Sequence, residues 1–175
     1  VLPNMTVLCP GDAFEVKAAI RASHKINGPV YIRMAKKNEP LVHSEPPDFT
    51  IGKGIIVKPG KDICFLNTGS LLPMAMEAAN ILAKKDISVQ VVSMHTVKPL
   101  DSELLSEIFH KFSAVYTFEE HSIHGGFGSA VLEWMSEQGI NSARLYRIGT
   151  PDEFMYKAGE TDYAYKYFGL DSNSI

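Results

Sequence analysis

The chain has 175 residues, a formal net charge of −3, and 45% hydrophobic against 21% charged residues. That length suits one full domain, or one domain with part of another, and the composition is that of an ordinary soluble globular protein. Charges of both signs are interspersed, which excludes the footprint of a nucleic-acid or anionic-membrane binder; the longest apolar run is far short of a membrane span, and no secretory signal opens the chain.

Residues 1–37 read as a short βαβ unit. Met5–Cys9 is a strand, Pro10-Gly11 turns it, and Asp12 is an N-cap with Glu15 completing a capping-box pattern. The helix is expected to run to about Ile26 and to end at Asn27-Gly28, before a strand from Val30 to Met34. Such a crossover buries its helix only against a sheet wider than two strands, so the unit needs neighbours that the sequence does not contain. Residues 38–53 read as a linker, because Pro40, Pro46 and Pro47 interrupt regular structure. His43, with no second ligand spaced near it, is expected to be solvated.

Residues 54–175 read as a complete alternating α/β domain. Ile55–Lys58 and Ile63–Asn67 flank Pro59-Gly60, which predicts a hairpin. A helix opens at Thr68-Gly69-Ser70 and runs to about Lys84, followed by a strand at Val89–Ser93 and a segment from Met94 to Leu100 without assigned structure. His95 at that strand's end is expected to bond its own loop. Asp101 caps a helix with Leu104, Leu105, Ile108, Phe109 and Phe112 inward, and Ala114–Phe118 is a buried strand. Phe127 to Met135 is helical, Ala143–Ile148 is a strand, and an amphipathic helix spans Thr161 to about Phe168. Cys9 and Cys64 lie in predicted strands without CxxC spacing, as buried hydrophobes of a reducing, cytoplasmic compartment.

The stretch Glu119-Glu120-His121-Ser122-Ile123-His124-Gly125-Gly126-Phe127-Gly128 joins strand to helix, where open α/β sheets place ligands and partner surfaces. Its glycines admit two readings: free N–H groups at a helix N-terminus as an anion site, or close packing of helix on strand. A dinucleotide site is a poor third. Val131 stands where the last small residue of the G-x-G motif belongs, and no acidic ribose ligand lies about 20 residues on.

In order along the chain, Pro3 to Ala13 with Gly28-Pro29-Val30-Tyr31-Ile32-Arg33 resembles the end of the pyrimidine-binding domain of transketolase-like thiamine diphosphate enzymes. Asp62 to Gly69, Val92 to Asp101, Phe118 to Gly128 and the ending Gly169-Leu170-Asp171 resemble the C-terminal domain of the same enzymes. Bacterial and split-subunit transketolases look closest, with deoxyxylulose-phosphate synthase and the beta subunit of 2-oxo acid dehydrogenases next. The resemblance implies a three-layer αβα fold, its sheet mostly parallel with one antiparallel strand, preceded by the partial βαβ unit. It implies a two-carbon ketol transfer between sugar phosphates, with thiamine diphosphate and Mg²⁺ in the intact enzyme. The family's Gly-Asp-Gly motif, later Asn and activating Glu have no match here, so the expectation is a fragment that holds no cofactor or metal and is inactive alone. Its partners would be the N-terminal part or subunit of the same enzyme, a second copy in a homodimer, and a sugar phosphate.

By the same resemblance Arg33 and Lys36 are candidates for the acceptor phosphate, with surface charge at a strand end as the plainer account. A guanidinium fork matches phosphate bidentately and an ammonium offers a point charge. Glu120, His121, His124, Gly125 and Gly126 are expected at an interface or anion site rather than in catalysis. The rival functions are a non-catalytic assembly module and, more remotely, a stand-alone nucleotide or flavin binder.

Overall fold

The computed structural model describes residues 2–35 and 40–174. Two sheets meet in it. The smaller begins with β1 (Thr6–Leu8), α1 (Ala13–Ser23) and β2 (Val30–Ile32), the two strands running parallel. The larger is built from β3 (Ile55–Lys58), β4 (Ile63–Asn67) and β5 (Val89–Ser93), with α2 (Leu72–Ala83) between the last two. β6 (Thr96–Lys98) and α3 (Ser102–Lys111) come next, then β7 (Ala114–Ser122), α4 (Phe127–Glu137), β8 (Arg144–Thr150) and α5 (Thr161–Tyr167). The strand order is β3-β5-β4-β7-β8, parallel except for β3. This is the three-layer fold with one antiparallel strand. Among the described residues no helix is long and apolar enough to cross a membrane.

The core follows from period-two alternation along buried strands. In β4, Cys64 and Leu66 face α3 and α4, packing with Leu105, Ile108, Phe109, Phe127 and Val131. Phe65 faces the other way, towards Leu71, Leu72, Ala75 and Ala79 beside α2, with Phe118 and Leu170. Small residues on α2 let the helix approach closely. Cys64 behaves as an apolar side chain: burial pushes its thiol up to about 12. Cys9, one residue beyond β1, is also buried and its thiol is raised by burial.

Three expectations are corrected here. β3 and β4 do not form a hairpin. β3 pairs antiparallel with β5, and β4 lies between β5 and β7. Gly60 in the connecting turn lies directly on the backbone of Val89 and Gln90, so the turn carries the chain across β5 rather than back along β3. The smaller sheet also finds a neighbour within the chain. β6, from the segment left unassigned, pairs antiparallel with β1 and gives the order β2-β1-β6. Finally, His43 is not solvated: its side chain is 10% exposed and its Nε2 lies 2.8 Å from Glu15 Oε1.

That contact belongs to a clasp between the linker and the start of α1. Asp12 caps the helix as expected, accepting from the Phe14 and Glu15 amides at 3.0 Å each. Its second oxygen accepts the Val42 and His43 amides at 3.0 and 2.9 Å. Glu15 accepts the Gly11 amide at 2.6 Å, one residue earlier than a capping box would place it. His95 lies close by, fully buried, with its Nδ1 3.0 Å from Thr96 Oγ1 and its ring stacked on Phe49 at 3.8 Å. Burial holds that ring neutral, lowering its pKa to about 4.

One carboxylate satisfying four amides sets a stability prediction. Asp12→Ala should cost about 3 kcal/mol in urea unfolding, one cap plus unpaired linker amides, and Asp12→Asn about half of that. A second prediction concerns pH. The hydrogen bond to Glu15 raises His43 above its ordinary value of 6.5, against burial. A raised histidine stabilises fully below its unfolded pKa and loses that contribution as pH rises through the folded value. The gap between wild type and His43→Gln should be about 1–2 kcal/mol at about pH 5.5 and narrow by about pH 8.5; a gap that widens with pH would count against the pair. His95, depressed instead, acts with the opposite sign as pH falls towards 4.

Candidate functional site

The strand order reverses at β4: the chain leaves it for β5 on one side and returns to β7 on the other. In open α/β sheets the crevice for ligands lies outside the carboxyl ends of the strands at such a point. Here it is formed by Thr68-Gly69-Ser70 after β4 and by the end of β7. β7 is longer than its apolar run predicts, because Ser122 still pairs with Thr150 of β8 after an irregularity beyond Phe118. Glu119, Glu120 and His121 are therefore strand residues, and alternation sends the two acids to opposite faces.

Glu119 turns towards α4 and is fully buried. Its carboxylate accepts the Phe127 amide at 2.6 Å and the Gly128 amide at 3.0 Å, and His121 Nε2 lies 2.9 Å from it. The N–H groups that the glycine turn offers are thus met by the protein's own carboxylate, favourably placed at a helix N-terminus. Close packing of helix on strand is the reading this contact explains; the Phe127 and Gly128 amides are not free for an outside anion. A Cβ on Gly126 would overlap the Glu119 carboxylate, and one on Gly128 would lie 2.6 Å from Thr117 Oγ1 and 2.9 Å from Glu119 Oε1. Gly125 takes φ +71° and donates to Ser129 Oγ at 3.0 Å, and the His124 amide donates to Ser122 Oγ at 3.2 Å. His124 is exposed and the His121 side chain is 39% exposed.

Glu120 turns the other way, to the smaller sheet. One carboxylate oxygen pairs with Arg33 Nη1, just beyond β2. The other accepts the Ser70 hydroxyl and the Tyr165 hydroxyl, the latter at 2.7 Å. Burial works to raise the Glu120 carboxyl, but the hydrogen bonds from Ser70 and Tyr165 and the Arg33 charge outweigh it and hold its pKa below the usual carboxylate range. The Glu120 side chain is 18% exposed and that of Arg33 35%, so the guanidinium still meets solvent. A cleft of about 370 Å³ opens beside the cluster, lined by Pro40, Ser70, Pro73, Met74, Tyr165 and Lys166 among others.

Of the residues singled out from sequence, Arg33 and Glu120 come together. His121 and Gly126 gather with Glu119 on the opposite face of β7, His124 and Gly125 are exposed in the turn, and Lys36 lies outside the described residues. Ser70 and Tyr165 were missed. Ser70 read only as a helix opening and Tyr165 only as part of an amphipathic helix, and neither carries a local signal for a contact so far along the chain. The small sheet reaches the crevice through backbone bonds: Cys9 accepts the Gly69 amide at 2.9 Å, and His95 accepts the Cys9 amide at 2.8 Å. Among the described residues no group of three or more His, Cys, Asp or Glu side chains could hold a metal ion. Asp12, the nearest match to a metal-binding aspartate, has both oxygens engaged by amides.

Residues 52–175 match the family model described as the transketolase C-terminal domain. A protein of Methanocaldococcus jannaschii named as a transketolase C-terminal section is 39% identical over 176 residues, covering 99% of this chain and 54% of the relative. A 6-deoxy-6-sulfo-D-fructose transketolase subunit of Clostridium sp. is 37% identical, covering 99% of this chain and 53% of its own length. A 1-deoxy-D-xylulose-5-phosphate synthase of Caldanaerobacter subterraneus is 36% identical, with 28% of its length covered. Among solved structures, a split-gene transketolase described as an inactive beta4 tetramer superposes with a TM-score of 0.92 at 37% identity, covering 99% of this chain and 56% of that one. The chain thus spans about half the length of the first two relatives and of this structure. With that family model covering most of its length and the architecture in agreement, the chain belongs to the transketolase C-terminal domain family.

Proposed function

We propose that the chain is the C-terminal section of a transketolase-type enzyme that moves a two-carbon ketol unit between sugar phosphates. It works with an N-terminal part or subunit that binds thiamine diphosphate and Mg²⁺. That coenzyme supplies the electron sink for the carbanion when bound, but the residues of this chain do not fit as its holder. Asp12 is occupied by amides, and the two acids on β7 face a helix and an arginine. What this chain contributes is acceptor recognition and an interface. The observation that carries the reading is the position of Arg33: a partly exposed guanidinium at the reversal of strand order, where a sugar phosphate would meet the section. Lys36 lies three residues further along the sequence and is proposed as a second cation for the same phosphate. His121, His124, Gly125 and Gly126, at the other side of β7, are proposed to face a partner subunit in a homodimeric assembly. Two buried thiols, both raised by burial, are consistent with a reducing cytoplasmic setting.

Mixing the chain with its N-terminal section, thiamine diphosphate and Mg²⁺ should give ketol transfer, with none from the chain alone. Turnover by the isolated chain would overturn the proposal, and a mixture that stays inactive would favour an assembly module. A second reading rests on the similarity to 1-deoxy-D-xylulose-5-phosphate synthases; detecting 1-deoxy-D-xylulose 5-phosphate as the product of the mixture would select it. In the active mixture, Arg33→Ala should raise KM for phosphorylated acceptors about tenfold, the worth of one charge-assisted hydrogen bond, and raise it far less for free aldoses. Equal losses on both would remove Arg33 from phosphate recognition.

A further inference from the structure

The geometry points to Glu120 as a positioning residue that aims Arg33, with Ser70 and Tyr165 as its anchors. The acceptor site is then completed by the larger sheet's own elements. The inference rests on the acceptor-phosphate reading of Arg33. Four parts of the fold converge on one carboxylate: Glu120 on β7 meets Arg33 from just beyond β2, Ser70 from the turn after β4, and Tyr165 from α5. Glu120 does more than neutralise a charge. One of its oxygens faces Arg33, while the other is held by two hydroxyls from separate elements. A carboxylate pinned in that way has little freedom of its own. It therefore fixes the direction of the arginine that binds it, as an outer ligand orients a metal-binding histidine.

The arrangement leaves the guanidinium able to act. Arginine has five donors in a rigid fork, and the contact to Glu120 is through Nη1. At 35% exposure the side chain is neither buried nor loose on the surface. Gly69 lies beside it: a Cβ at that position would make only ordinary contact with Arg33 Nη1, at 3.9 Å, and it is the φ of +70° that favours glycine there. Ser70 and Tyr165 also line the 370 Å³ cleft next to the cluster, so the anchors reach the open side. A plain ion pair between two sheets would need neither hydroxyl. It would also leave phosphate binding unchanged, or improved, once Glu120 lost its charge, since a carboxylate competes with an anion for Arg33. Positioning predicts the reverse.

The test titrates inorganic phosphate into the 175-residue chain and tracks the backbone amide signal of residue 33 by ¹⁵N NMR. Wild type, Arg33→Ala, Glu120→Gln, Tyr165→Phe and Ser70→Ala are compared, the last serving if Tyr165→Phe does not fold. Wild type should show a saturable shift that Arg33→Ala abolishes. Tyr165→Phe, Ser70→Ala and Glu120→Gln should each weaken phosphate binding by roughly fivefold, the worth of one hydrogen bond. In the reconstituted enzyme the same variants should raise KM for phosphorylated acceptors more than for free aldoses at similar kcat. If Arg33→Ala abolishes binding while the Glu120 and hydroxyl variants bind as wild type, or Glu120→Gln binds more tightly, the positioning role falls and the phosphate reading stands. If wild type gives no saturable shift, or Arg33→Ala binds unchanged, both fall together.

Discussion

Two neighbouring carboxylates on one strand, sent to opposite faces by the pleat, organise the molecule around the end of β7. Glu119 closes the N-terminus of α4 from inside the larger domain. Glu120 reaches out of that domain and pairs with Arg33 of the smaller sheet. Both are acidic and adjacent in sequence, yet their environments differ completely. One is dry and satisfied by backbone amides and a histidine; the other is partly wet and satisfied by hydroxyls and a cation. Exchanging their roles would need only a one-residue slip of β7, and that slip would also turn Val115 and Phe118 off their cores. The hydrophobic register therefore fixes the polar one.

The smaller sheet depends on the larger in a comparable way. β1 and β2 are three residues each, too short to bury a helix between them, and β6 supplies the third strand from far along the chain. The linker is tied to the start of α1 by Asp12 and Glu15 and to the core near His95 through Phe49. A segment that looks like a tether by composition is thus bonded at both ends. Its prolines deny it secondary structure without denying it fixed contacts.

What sequence revealed and what it hid divides along the range of the interactions. The caps at Asp12 and Asp101 were legible because the bonds they make span two or three residues. β3, β4 and β5 were legible at their full lengths as apolar runs. Their pairing was not, because two strands around Pro-Gly imitate a hairpin. The telling detail was that β4 is buried on both faces, which a central parallel strand requires and an edge hairpin does not. β7 was read as ending at Phe118 since acids and histidines mimic a loop; Glu119, Glu120 and His121 are each paired, and pairing is what sequence does not print. Arg33 and Glu120 were each singled out, but nothing in a single sequence links residues so far apart. The hydroxyls of Ser70 and Tyr165 carried no signal at all.

The shared membership of Thr96–Lys98 has a consequence for how the protein can be divided. A boundary drawn near residue 53, where composition changes and where the family model begins at residue 52, looks like a natural place to cut. Expressing residues 54–175 alone would strip β6 of its pairing with β1 and leave an unpaired, open edge. It would also leave Glu120 partly shielded with no counter-ion from the small sheet. For anyone trimming this polypeptide, a cut that keeps β6 paired must fall before Thr6, and the shorter piece invites clumping.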